Sequence, residues 1–142
     1  MTINQLSIFI ENRSGTLIKV LELLKQANIQ IVASTIADTA EYGIYRLICS
    51  EPLRAYEELK KGGIAVALSD VFALELDDEP GRAADAVRTF SDAGISITYM
   101  YTFLLNGKGI LIFRTDNAEQ AREVIEKNAL KYIAENKLTS LV

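Results

Sequence analysis

The sequence predicts an α+β fold built from two tandem βαββαβ units, each an antiparallel sheet with its helices on one face. Three observations lead there. Displacing the chain by 66 residues lays it on itself without gaps, with Gly15 on Gly81, Ala27 on Ala93, Ile29 on Ile95, Ile31 on Ile97, Gly43 on Gly109 and Ala55 on Ala121. Strand-like and helix-like patterns follow one another in the same order in both halves. The chain has 142 residues, 49% hydrophobic and 24% charged, which suits one ordinary globular domain or two very small ones. The expected domains are 1–69 and 70–142, meeting near Ser69-Asp70. A lone unit of about 60–70 residues is marginal by itself. No Gly/Ser linker separates the halves, so they are expected to be docked together, hiding strand edges.

The elements of the first half follow from local chemistry. Residues 3–10, INQLSIFI, are rich in apolar and β-branched types and read as a strand. After the turn ENRSG, Leu17, Leu21, Leu24 and Ala27 recur at helical spacing, and Asn28 is suited to ending that helix. IQIVASTIAD and GIYRLICS are the next two strands. Ser50 is placed to cap a second helix with Pro52 in its first turn and Leu53, Tyr56 and Leu59 on one face. Gly62 and Gly63 end it, and IAVAL is a short strand.

The second half repeats the order. VFALELD leads to a helix with Ala84, Val87, Phe90 and Ala93 inside, ended by Gly94. ISITYMYTFLL and GILIFRT are strands joined at Asn106-Gly107, a strong hairpin signal. Asp116 is placed to cap a helix over 118–127, and a final strand is expected within 130–142.

Composition restricts function. With 15 basic and 19 acidic residues the net charge is −4 and there is no basic run, so nucleic acid is not an expected partner. Lys108-Gly109-Ile110-Leu111-Ile112-Phe113 puts aliphatic residues where an RNA-recognition strand carries two ring platforms. The absence of histidine removes the commonest general base, transition-metal ligand and pH switch together. No metal-ligand cluster or CxxC loop is present, so no metal or cofactor is expected, and an enzyme is not expected either. The single Cys49 cannot form an internal disulfide; it reads as an inert core residue in a reducing compartment. No apolar run approaches the ~18 residues that span a bilayer. No basic n-region precedes the first short apolar stretch, so a cytoplasmic location is expected.

The strand-to-helix turns carry the candidate chemistry. A glycine opening a helix lets another molecule approach the backbone and leaves first-turn N–H groups pointing outward. Those donors, at the positive end of the helix dipole, suit a carboxylate. Arg13 and Arg82 beside the turns are candidate anion contacts.

Glu11-Asn12-Arg13-Ser14-Gly15-Thr16-Leu17, followed by Ala27-Asn28-Ile29-Gln30-Ile31, resembles the ACT family, which reads roughly x-N-R-P-G-x-L at this turn and G-x-N-I at the second strand. Asp77-Asp78-Glu79-Pro80-Gly81-Arg82 and Ala93-Gly94-Ile95-Ser96-Ile97 match the D-x-P-G and G-I-x-I parts in the second half. The resemblance covers essentially the whole chain and is to stand-alone tandem ACT proteins, which lack an attached enzyme. It implies a ferredoxin-like, amino-acid-binding regulatory protein. Such a protein acts allosterically through ligand-dependent domain or subunit packing, as a homodimer and on a separate regulated enzyme. It further implies that Asn12 and Gln30 are ligand-contacting positions. The candidate set is then Asn12, Arg13, Ser14, Gly15, Thr16, Leu17, Ile29 and Gln30, with Asp78, Glu79, Pro80, Gly81, Arg82, Ile95 and Ser96 as their counterparts.

The second half departs at both key positions, with Asp78 for Asn12 and Ser96 for Gln30. An aspartate does not donate to a carboxylate but pairs with an ammonium group. Either the two turns accept different ends of a ligand, or one has been lost. Plainer roles stand beside these: glycine serves many unliganded turns, Asn12 and Asp78 are competent helix caps, and Gln30 and Ser96 are competent solvent-facing strand residues. Tyr99 and Tyr101 share a strand face, suited to sheet packing, a pocket wall or a dimer seam. A protein-interaction subunit with vestigial sites and a small enzyme on the same scaffold are the alternative readings.

Overall fold

The structure is a computed structural model that describes residues 1–11, 15–38 and 42–140. Its elements are β1 (Ile3–Glu11), α1 (Thr16–Gln26), β2 (Ile31–Asp38), β3 (Tyr42–Cys49), α2 (Pro52–Lys61), β4 (Val66–Leu76), α3 (Arg82–Asp92), β5 (Ile97–Leu105), β6 (Lys108–Thr115), α4 (Ala118–Lys127) and α5 (Glu135–Ser140). Two compact units emerge. The first comprises Asn4–Ser69 with Asn136–Val142, the second Met1–Ile3 with Asp70–Glu135.

In the first unit β3 lies between β1 and β2, antiparallel to both, with Leu6 opposite Leu47 and Ser34 opposite Leu47 on the other side. The Phe9 amide donates to the Ala65 carbonyl at 3.0 Å, tying the end of β1 to the approach to β4. Leu6, Ile8, Tyr45, Leu47 and Cys49 alternate onto one sheet face. They pack there with Val20 and Leu24 of α1 and Ala55 and Leu59 of α2. Burying a side chain of that size contributes about 1.5–3 kcal/mol.

The second unit repeats this plan. β6 lies between β4 and β5, antiparallel to both, with Leu74 opposite Leu111 and Met100 opposite Phe113. A short antiparallel bridge at Tyr132 pairs with Leu74 on the other side of β4. The core holds Phe72, Phe90 and Phe113, with Phe113 stacked on Phe72 at 5.4 Å and tilted to Phe90 at 4.9 Å.

The duplication extends to irregular backbone. Positive φ occurs at Gly15 and Gly81, at Asn28 and Gly94, and at Gly63 and Ala129, each pair 66 residues apart. The β2–β3 register shifts between Ile31 and Ala33, and the β5–β6 register shifts at the equivalent Ile97 and Tyr99. Bulges re-aim a strand; here each follows a clasp across the sheet. The Gln30 amide donates to Ser50 Oγ at 3.0 Å, and the Ser96 amide donates to Asp116 Oδ1 at 3.2 Å.

These clasps correct two expectations. Ser50 and Asp116 do not cap the helices that follow them; the caps are the next residues, Glu51 without a side-chain bond and Asn117, which accepts from the Gln120 amide. Three further differences follow from packing. IAVAL and VFALELD are not two strands but parts of one, β4, with no turn at Ser69-Asp70. Leu53 is 62% exposed and Ala84 is also exposed, because α2 and α3 turn Ala55/Leu59 and Ala86/Phe90 inward. The expected last strand shrinks to the Tyr132 bridge, and Glu135–Ser140 is a helix anchored by buried Leu138.

Candidate functional site

The first glycine corner joins β1 to α1. Gly15 sits at φ +100° as the N-cap, and an added Cβ would meet nothing within 4 Å, so the glycine answers to the dihedral and not to crowding. Its carbonyl accepts the first helical bond from the Lys19 amide at 3.1 Å, and the N-cap, being glycine, has no side chain with which to bond the first-turn amides. Beside it opens a cavity of about 500 Å³, lined by Phe9, Glu11, Gly15, Thr16, Lys19, Gly63, Ile64 and Ala65. Backbone, one cation (Lys19), one carboxylate (Glu11) and an apolar wall thus meet around one hollow. Asn12, Arg13 and Ser14 lie outside the described residues.

The other expected residues of this half go elsewhere. Leu17 packs on the core and Ile29 is buried in it. Gln30 is exposed and lines a separate, open groove of about 660 Å³ with Lys25, Asn28 and Ser50. That groove is at the far end of α1, an eleven-residue helix spanning about 16 Å. Within this unit Gly15 and Gln30 do not share a cavity.

The second corner has the same backbone and different charge. Gly81 sits at φ +89° as the N-cap of α3, again with no side-chain cap, and accepts from the Asp85 amide at 3.0 Å. Asp78, Glu79 and Pro80 are exposed on the turn. The Arg82 guanidinium is gripped from both sides, Nη2 donating to Glu79 at 2.5 Å and Nη1 to Asp85 at 3.3 Å. Glu79, and then Asp85, raise its pKa above the usual value. The Arg82 amide turns back toward the Glu79 carbonyl at 3.4 Å, and Lys108 pairs with Asp77 at 3.8 Å. Ile95 is buried in the core, and Ser96 is held in its clasp to Asp116. A cavity of about 330 Å³ lies here too, lined among others by Glu75, Asp77, Arg82, Asp85, Leu130 and Lys131.

This constellation was only partly foreseeable. Phe9, Lys19, Ile64 and Ala65 were not among the expected site residues. No motif marks them, although each has its 66-residue counterpart in the second cavity: Glu75, Asp85, Leu130 and Lys131. Among the described residues no group of three or more His, Cys, Asp or Glu lies together as a metal site, and no helix is long and apolar enough to cross a membrane.

The family description "ACT domain pair" matches residues 1–142. The chain belongs to the ACT domain pair family. A solved structure, protein BT0572 from Bacteroides thetaiotaomicron, is 37% identical and superposes with a TM-score of 0.93 over 98% of this chain and 96% of that one. The regulatory subunit of aspartate kinase from Thermus thermophilus is 16% identical, with a TM-score of 0.58 over 87% of this chain and 91% of that one. Its Thermus flavus counterpart is 17% identical, with a TM-score of 0.59 over 87% and 88%. These two share the fold with the ACT domain pair. No curated protein matches the sequence. In the ACT domain pair, then, the glycine corners occur once per repeat, each beside its own hollow.

Proposed function

We propose that this ACT domain pair is a non-catalytic cytoplasmic sensor of a small molecule, an amino acid above all, that signals by changing its own oligomeric packing or its grip on a separate regulated protein. The observation that supports this reading best is the first corner, where the glycine that opens α1, Thr16 and Lys19 line one cavity together with Phe9, Ile64 and Ala65. A carboxylate meets the donors and a side chain meets the apolar wall. Asn12, Arg13 and Ser14 complete this corner in the proposal, while Gln30 is a candidate contact in its own groove at the other end of α1. Hydrogen bonds to a charged group are worth about 1.5–3 kcal/mol each, so three or four with some apolar burial reach micromolar affinity, about −8 kcal/mol. The relatives include proteins named as regulatory subunits of an amino-acid kinase, in keeping with a regulatory role.

Ligand shifts an equilibrium only as far as it binds the two states unequally. The homodimer in this proposal uses β5, whose nine residues ITYMYTFLL carry no charge and expose Met100 and Leu104. Isothermal titration calorimetry with each common amino acid at millimolar concentration tests the proposal: one or a few bind, or the sensor reading fails. A protein-interaction subunit with vestigial sites is the second reading, favoured by the internal ion pairs that occupy Arg82. A partner retained tightly without any amino acid would support it.

A further inference from the structure

The two corner cavities share a backbone and differ in electrical character, and this carries the reading above one step further. Residues 9–19 hold one carboxylate, Glu11, against two cations, Arg13 and Lys19. The equivalent residues 75–85 hold five carboxylates, Glu75, Asp77, Asp78, Glu79 and Asp85, against Arg82 alone. The contrast reaches the cavity walls: both keep one carboxylate at the same place, Glu11 and Asp77, but Phe9, Lys19 and Ala65 of the first become Glu75, Asp85 and Lys131 of the second. We infer that only the first cavity takes a ligand's carboxylate, so that the chain binds one amino acid and not two, and that Lys19 is the residue that selects for the acid group.

The physical grounds are local. Lys19 is exposed on the first full turn of α1 and lines the cavity; among the described residues it makes no ion pair, so a ligand need break none to reach its charge. At the equivalent place in the second unit stands Asp85, which repels a carboxylate and already holds Arg82 Nη1. Arg82, the one group on that turn suited to an anion, is held on its other side by Glu79. The protein's own side chains thus occupy the charge that a ligand would use. Lys131 adds one cation to the second cavity, against Glu75, Asp77 and Asp85 on the same walls. Like charges around a small hollow act over the whole approach path, not only at contact.

This inference rests on the sensor reading, and calorimetry on the full chain separates the two. The probe is whichever common L-amino acid gives heat at millimolar concentration. The expected result is one site per chain, with affinity lowered at least tenfold by Lys19→Asp and largely kept by Lys19→Arg. The double variant Glu79→Gln with Asp85→Lys is expected to leave the first site unchanged and add a second binding event. Lys19 is exposed, so a thermal melt superposable on the wild type confirms that Lys19→Asp folds. Two equal sites in the wild type would overturn the inference and leave the sensor standing. So would binding lost in Lys131→Ala but kept in Lys19→Asp. No binding of any amino acid would overturn both.

Discussion

Ala129 holds the backbone conformation that glycine holds in the first repeat, and the difference is measurable. Gly63 leaves α2 at φ +79°, while the corresponding Ala129 leaves α4 at φ +51°. The left-handed region costs an L-residue about 1–2 kcal/mol, and glycine gives back about 0.5–1 kcal/mol through the extra freedom of its unfolded chain. Ala129→Gly is therefore expected to stabilise the second unit by about 0.5–1 kcal/mol. The reverse change, Gly63→Ala, is expected to destabilise the first unit by a similar amount. An added Cβ there meets no atom within 4 Å, so the dihedral alone is being tested. With a urea dependence of about 2 kcal/mol/M, the midpoints move by roughly 0.3–0.5 M in opposite directions. Equilibrium urea unfolding followed by circular dichroism reads this directly. A lower midpoint for Ala129→Gly would refute the premise that alanine is strained at this helix end.

Three further substitutions probe the features that hold each unit. Phe113→Ala removes the ring that joins Phe72 to Phe90 and is expected to cost about 3–5 kcal/mol, read as a lower denaturation midpoint. Asn117→Ala deletes the side-chain cap on the Gln120 amide and should cost about 1 kcal/mol, with faster amide exchange at Gln120. Leu53→Gln is expected to change stability by no more than about 0.5 kcal/mol, whereas Leu59→Ala loses about 2–5 kcal/mol, since only Leu59 faces the core.

The sequence was most legible where structure is decided by neighbours in the chain. Asn106-Gly107 is a hairpin because both residues accept positive φ, here +52° and +76°, and Asn28 ends α1 for the same reason at +57°. It was least legible where a side chain chooses between a local and a distant partner. Ser50 and Asp116 satisfy the local rule for a helix cap, yet each turns instead to an amide twenty residues back in the chain. α5 has a single buried apolar residue, Leu138, in six residues, too short for a periodic pattern to show. The glycine corners could be read from their motif. The far wall of the first cavity could not, because Gly63, Ile64 and Ala65 come from the other end of the repeat.

Chain ends are exchanged between the repeats. Met1–Ile3 belong with the second unit, where Met1 packs against its core, and Asn136–Val142 belong with the first. Each compact unit therefore draws residues from both halves of the chain. Expressing 1–69 or 70–142 alone would leave one fragment without its C-terminal tail and the other without its N-terminal residues, and would cut β4 in the middle. Evolution can vary the two corners separately, but it has to inherit the repeats together.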